Sequence, residues 1–391
     1  MIQNDIKNFK LKLFFPYDKK ILAFLDEFSK NIRKHPSFKL FPDLHFLSLW
    51  CSKKEIMKIK NTININEQRF ARGLILHITP SNLPVNFAYS FIVSLLAGNS
   101  NIVKIPSKDF KETEIILETI DEIFKQKKFS LLKKSNYFIK TERESEIIKE
   151  ISAKSDARMI WGGDNTIKYF KNIYSPPRCL DITFSDRFSF AVIDTKKYME
   201  LNDNNKFNLA KKFFYDAYLS SQKACNSPHF LFWVGKKKLL MAQKKFWADV
   251  INNVDKKFIF DDIQIMDKYV SLYENIVNNK YIKTINKENV RAYIVNINDK
   301  INSIENIRGV NGIFFQMNIN YLNDLNKFIN KKCQTITKFG FSTSQFKDLI
   351  SKNNLLGADR IVNFGNAMQF STIWDGHDLI NSLTRIIDID D

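Results

Sequence analysis

Glycine is scarce in this chain, with 11 in 391 residues, beside 9 Pro, 5 His and 4 Cys. Each shortage excludes something. Cys51, Cys179, Cys225 and Cys333 lie far apart with no C-x-x-C pair, which argues against a disulfide framework and against a cysteine zinc site. The histidines form no H-E-x-x-H, so no helix-borne zinc site is expected. No G-x-G-x-x-G occurs, and the standard dinucleotide fingerprint is therefore missing. The longest apolar run, Phe87 to Ala97, is interrupted by Tyr89, Ser90 and Ser94 and is too short to span a bilayer. The opening residues, Met1-Ile2-Gln3-Asn4-Asp5, are polar and lack the apolar stretch of a secretory signal, so a cytoplasmic location is expected.

What is present points to a globular protein. Hydrophobic residues make up 44% of the chain and include 35 Phe, ample for burial, and the length suits two domains. Abundant lysine, asparagine and isoleucine read as an AT-rich coding bias. The net charge of +18 admits nucleic acid or an anionic surface as a partner. The lysines are dispersed, however, and no zinc-finger spacing, RNP-like motif or basic region with heptads accompanies them, so a solvated surface is favoured over nucleic-acid binding.

Residues 1–65 read as a helical layer, with a 3.6-residue apolar face at Ile21, Leu22, Leu25 and Phe28. From Arg72 strands and helices alternate. Strands are expected over Gly73–Ile78, Asn101–Ile105, Tyr137–Ile139, Arg158–Trp161 and Phe188–Ile193, and helices over Val85–Leu96, Lys108–Lys127, Glu144–Ser152 and Asn165–Tyr174. Such alternation predicts right-handed βαβ crossovers and a mostly parallel sheet, an α/β fold. The polar run Asn202–Asn205 reads as a linker, with a domain boundary near residues 195–205.

In such sheets ligands gather at the carboxyl ends of the strands. Gly162-Gly163 opens a helix there and offers bare backbone and a helix N-terminus to a pyrophosphate, although a tight turn alone also explains glycine. Asn82, in the loop Thr79-Pro80-Ser81-Asn82-Leu83-Pro84, carries an amide able to donate to an oxyanion, or simply serves the turn. Further on, Ser220-Ser221-Gln222-Lys223-Ala224-Cys225-Asn226-Ser227-Pro228-His229 sets one cysteine between a helix over Lys206–Leu219 and the apolar strand Phe230–Val234. A thiol held by rigid elements in a polar, partly open junction suits a nucleophile, while most cysteines are small core hydrophobes. His229 and His377 are candidates for a base, and packing is the favoured reading for both.

Seven segments in order carry a resemblance: His77–Pro84, Gly98–Ser107, Trp161–Asp164, Thr183–Ser189, Gln222–Pro228, Asp359–Val362 and Trp374–Gly376. Over roughly residues 70–385 the chain resembles the LuxC-type acyl-CoA reductases of the aldehyde dehydrogenase superfamily. The resemblance implies an aldehyde dehydrogenase-like α/β fold, with a Rossmann-type cofactor domain over 66–200, a catalytic domain over 201–345, and a C-terminal segment, 346–391, that packs back on the cofactor domain or forms a subunit contact. It implies reduction of an acyl thioester to an aldehyde, with Cys225 as the acyl-accepting nucleophile, Asn82 and the backbone N–H at the cysteine binding the oxyanion, and Gly162 and Gly163 near the cofactor pyrophosphate. The acyl donor would be a fatty acyl-CoA or an acyl group from an acyl-activating partner protein. A homo-oligomer is expected by analogy, with Asp359, Arg360, Trp374 and Asp375 in structural roles, including shaping of the subunit contact.

Two departures from the wider superfamily sharpen this. Where hydrolytic members carry a glutamate base, this chain has Thr183, so water is not activated against an acyl-enzyme, which favours reduction over oxidation to an acid. Where many relatives read Lys-Pro-Ser-Glu, with the glutamate on ribose hydroxyls, this chain reads Lys104-Ile105-Pro106-Ser107-Lys108. A cation at Lys108 can pair with a 2′-phosphate, which predicts NADPH, against the alternative that Lys108 starts a solvated helix face. Other readings are reduction of a smaller activated acid, for example in a surface-sugar pathway, a basic nucleic-acid-binding protein, and a scaffold that has kept the fold but lost activity.

Overall fold

The computed structural model describes residues 9–62, 68–81, 83–255 and 260–389. It divides into two compact units, one ending at Asp186 and resuming at Phe370, the other spanning Arg187–Gln369.

The first unit opens with helix α1 (Lys19–Lys34), which buries Ile21, Phe24, Leu25, Phe28 and Ile32 along one face. Helices α2 (Pro42–Trp50) and α3 (Lys53–Thr62) complete the layer. Strand β1 (Arg69–Ala71) comes next. The alternation then runs β2 (Leu74–Ile78), α4 (Asn86–Leu96), β3 (Ser100–Lys104), α5 (Lys111–Phe124), α6 (Ser130–Ser135), β4 (Asn136–Ile139), α7 (Glu146–Ser152), β5 (Ala157–Trp161), α8 (Asp164–Lys171) and β6 (Leu180–Phe184). The sheet order is β4-β3-β2-β5-β6, and every pairing is parallel. The chain therefore works outward from β2 on one side, then crosses to the other side at β5, which makes a topological switch point between β2 and β5.

His77, in the middle of β2, is fully buried and ties this sheet together. Its ring nitrogens lie 2.8 Å from Ser90 Oγ and 2.9 Å from Asn101 Oδ1. Trp161 Nε1–H donates to the same Ser90 oxygen, and the Asn101 amide passes the chain on to Asn136 Oδ1. A neutral imidazole accepting from Ser90 and donating to Asn101 satisfies every partner. Burial pushes the His77 pKa down to about 4. The unfolded chain binds this proton below about pH 6.5 and the folded chain does not, so stability is lost as pH falls from 6.5 towards 4. The expected loss is about 3 kcal/mol, and His77→Gln should flatten that part of a pH series of urea unfolding curves.

The second unit contains β7 (Phe188–Asp194), α9 (Thr195–Glu200), α10 (Asp203–Ala217), β8 (Pro228–Val234), α11 (Leu239–Asp255), α12 (Asp262–Asn278), β9 (Ile282–Asn289), β10 (Ala292–Ile297), β11 (Ile313–Ile319), β12 (Cys333–Phe339), α13 (Thr343–Lys352) and β13 (Arg360–Asn363). The sheet order is β13-β12-β7-β8-β11-β10-β9, parallel except for β9 against β10. Strand β8 is apolar at successive positions because both faces are covered: Phe230 and Phe232 enter one core, Leu231 and Trp233 the other.

The expected boundaries move. Strand β7 pairs with β8 and β12, so residues 187–200 belong to the second unit and the division falls at 186/187. The run Asn202–Asn205 is no linker, since Asn202 caps α10 by accepting from Asn205 N at 2.8 Å. The C-terminal segment divides as well: 346–369 stays with the second unit, and only the residues from Phe370 return to the first. There Arg72 donates to Ser382 O and Thr384 O, Asn99 donates to Leu383 O, and Thr384–Ile386 pairs with β1. Leu379, Ile380 and Leu383 are fully buried in that unit's core.

Candidate active site

Each unit carries one part of the expected site. In the second unit the thiol loop joins α10 to β8. The helix cannot run straight into the strand, and the reversal is made by Ser221 and Gln222, both in the left-handed region at φ 51° and 58°. Those strained residues persist because their side chains are locked. Gln222 is buried; its Nε2 donates to Ile313 O at 3.0 Å and its Oε1 accepts from Gly312 N at 2.8 Å. Gln264 Nε2 donates to Ser221 Oγ at 3.1 Å.

Cys225 follows, partly exposed. Its carbonyl accepts from Ser189 Oγ at 2.6 Å, and that hydroxyl in turn accepts from Thr335 N. The next residue, Asn226, donates to Ala367 O at 2.6 Å. The segment bearing Ala367 is itself clamped. Asp216 accepts from Gly365 N at 2.6 Å and Ala367 N at 2.9 Å, and the Arg360 guanidinium donates to Asn366 O, Ala367 O and Gln369 O. The cysteine thus stands on backbone fixed from two sides, as a nucleophile requires. Gln222→Ala would strand two buried backbone groups, so a loss of about 1–3 kcal/mol is expected in thermal unfolding, with slower turnover from the loosened loop.

The surroundings of the other cysteines disfavour the thiolate. Burial raises the thiol pKa of Cys51 and Cys179 and pushes Cys333 up to about 12. His229 is no base for Cys225: it is buried, its Nδ1 lies 2.8 Å from Gly309 O, and burial with Arg308 nearby takes its pKa down to about 4. His377 packs edge-on to Phe184 in the first unit. Asp359 pairs with Arg187 at 2.6 Å and Trp374 stacks near Tyr89, both structural placements.

In the first unit the loops leaving β2, β3 and β5 occupy one edge of the sheet, around the switch point. Asn82 lies outside the described residues. Ser107 Oγ donates to Ser81 Oγ at 3.2 Å, which brings the loops after β3 and β2 together. Lys104 ends β3 and is buried, with its pKa lowered by burial against the opposing pull of Glu142 and Glu144. Lys108 is exposed, its Nζ 5.5 Å from the Phe110 ring. It borders a cavity of about 220 Å³ with Pro106, Asp109, Thr113 and Lys140. Two of the acids lining that cavity are engaged, Asp109 by Lys140 and Glu114 by Lys111.

The two glycines differ. A Cβ on Gly162 would lie 2.9 Å from Thr166 Cβ, so close packing of α8 explains that residue. A Cβ on Gly163 would meet nothing within 4 Å. Gly163 caps α8 with no side chain of its own, leaving its backbone open to an anionic group. Among the described residues no cluster of His, Cys, Asp and Glu fit for a metal exists, and no helix is long and apolar enough to cross a membrane.

Three solved structures place this architecture. Lactaldehyde dehydrogenase from Escherichia coli matches with a TM-score of 0.63 at 12% identity, over 94% of this chain and 85% of that one. A benzaldehyde dehydrogenase from Corynebacterium glutamicum, described as NAD-dependent, matches with a TM-score of 0.60 at 11% identity, over 94% and 84%. Proline utilization A from Bradyrhizobium japonicum matches with a TM-score of 0.63 at 13% identity, and there the chain covers only 42% of a much longer protein. The fold is that of the aldehyde dehydrogenases. Within that class the sequence matches the LuxC acyl-CoA reductases over residues 55–387, and the chain belongs to that family. No curated protein sequence matches it.

Sequence reasoning missed the supports of the thiol: Ser189, Asp216, Arg360 and the segment around Ala367. Asp216 is nine residues from Cys225 in sequence, and Ser189 and Ala367 are 36 and 142 away by residue number. None sits in a motif whose chemistry names a partner.

Proposed function

We propose that this protein reduces an acyl thioester, a fatty acyl-CoA or an acyl group on a partner protein, to the aldehyde through an acyl-enzyme on Cys225, with NADPH as reductant. The observation that carries the reading is the thiol loop, which holds one partly exposed cysteine on backbone locked by Gln222, Ser189 and Asn226. The family match supports the substrate class.

In this reading the Cys225 thiolate attacks the thioester carbonyl. The carbon–sulfur bond to the donor's own thiol breaks, that thiol leaves as thiolate and takes up a proton, and a new thioester on Cys225 remains. The Asn82 amide and the backbone N–H at Cys225 stabilise the oxyanion of each tetrahedral intermediate. Cys225 is the leaving group of the second step and is regenerated as thiolate while the aldehyde departs. Thr183 supplies no carboxylate base, which protects the acyl-enzyme from water. Gly163 would accept the pyrophosphate of the cofactor, and Lys104, Ser107 and Lys108 its adenosine ribose, since the open backbone and an exposed cation suit those groups. A nicotinamide held there would supply the hydride that reduces the acyl carbon. A homo-oligomer fits the superfamily pattern.

The test is reduced-cofactor consumption with acyl-CoAs of rising chain length. Turnover with a defined length optimum is expected, and absence of turnover with every acyl-CoA and every acyl-protein donor would refute the reading. For the cofactor, Lys108→Glu should raise KM for NADPH about tenfold or more while leaving KM for NADH little changed. A wild-type preference for NADH would overturn the NADPH assignment alone.

A further inference from the structure

Helix α12 turns a mixed face inward and an apolar stripe outward. Its buried residues are Lys268 and Leu272. Lys268 Nζ donates to Val290 O and lies 4.1 Å from the Tyr293 ring centroid. Gln264 reaches Ser221, and Asn275 donates to Arg308 O. Lys268, Gln264 and Asn275 thus face the protein beside Leu272 and the partly buried Ile276, while Asp262, Asp267 and Glu274 are exposed. The outer face carries Ile263 (73% exposed), Met266 (62%), Val270 (52%), Tyr273 (56%) and Val277 (82%). Their spacing is i, i+3, i+7, i+10, i+14, one unbroken stripe along the helix.

We propose that this stripe is an interface between two copies of the chain, α12 packing antiparallel on α12 about a two-fold axis at Val270. Three observations select that occupant. First, size: the five side chains with the partly exposed Tyr269 and Ile265 offer on the order of 700 Å² of largely apolar surface, more than the roughly 300–600 Å² of the largest patch on a typical monomer and close to the roughly 800 Å² each partner gives a standard interface. Second, the stripe is self-complementary. A two-fold axis at Val270 sets Ile263 level with Val277 and brings Met266 to within one residue's rise of Tyr273, so the apolar residues of one stripe meet those of the other. Third, both signs of charge border it: Asp267 is 3.9 Å from Lys223, and Lys287 Nζ is 5.6 Å from the Tyr273 ring. An anionic bilayer is disfavoured by Asp262, Asp267 and Glu274 on the same helix.

The experiment is sedimentation velocity on the full chain over a wide concentration range, with Val270→Glu beside the wild type, and with Val270→Cys under mild oxidation. A wild-type dimer is expected. Val270→Glu places two like charges on the axis and should raise the dissociation constant at least about 100-fold with an unchanged far-UV spectrum. Val270→Cys should yield a disulfide dimer mapped by digestion to 270–270, a result that stands even if the glutamate variant fails to fold. A wild type that stays monomeric, or one whose oligomer survives Val270→Glu without a 270–270 bridge, would overturn the proposal. So would a monomer that binds anionic vesicles through the stripe.

Discussion

Cys225→Ala is expected to reduce acyl-CoA-dependent cofactor oxidation by about 10⁴-fold or more, because removal of a nucleophile from a covalent mechanism costs nearly the whole catalytic effect. The fold should be unaffected. The loop around position 225 is held by other atoms: the residue's own carbonyl bonds Ser189, Gln222 bonds Ile313 and Gly312, and Asn226 bonds Ala367. None of these needs the sulfur, so thermal unfolding should coincide with wild type. Loss of activity with an unchanged melting curve would separate chemistry from folding. Retention of even a tenth of the activity would require a different nucleophile, and burial raises the thiol pKa of Cys51, Cys179 and Cys333, which disfavours each of them.

Asn82→Ala should lower kcat by about 10²–10³-fold with little change in KM for the acyl donor, the signature of an interaction made mainly in the transition state. The oxyanion exists only in the tetrahedral intermediates, so its donor contributes little to binding the ground-state thioester. Both steps pass through such an intermediate, and both should slow. A single-turnover experiment reads them apart: release of the thiol reports acylation, and aldehyde formation reports reduction. A large rise in KM with kcat preserved would instead make Asn82 a binding or turn residue.

Much of the fold was legible because both signals it uses are local. The apolar alternation with helix breaks at Gly98-Asn99 and Pro106 located β2 through α5 to within a few residues, and a continuous apolar run marked β8 as a buried strand. The elements that escaped notice have mixed patterns. Helix α12 carries an apolar stripe outward and buries Lys268 beside Leu272, and β9, at the sheet edge, reads Ile282-Lys283-Thr284-Ile285-Asn286, which is only partly apolar. The unit boundary was misplaced because β7 follows β6 after only Ser185, Asp186 and Arg187; pairing partners, which lie at Pro228–Val234 and Cys333–Phe339, decide its sheet. The thiol was visible as a polar break between a helix and a strand. Its clamp was not, since Asp216 and Arg360 act through backbone atoms of Gly365 to Gln369, and a backbone partner leaves no trace in residue type.

The most direct test of the central claim needs no reduced cofactor. The protein is mixed with a long-chain acyl-CoA, quenched, and analysed by intact mass and by peptide mapping. One acyl group per chain on the peptide containing Cys225, labile to hydroxylamine and matched by released CoA thiol, is the predicted result. A chain of unchanged mass with every acyl-CoA and acyl-protein donor, or an acyl group carried only by another residue, would contradict it.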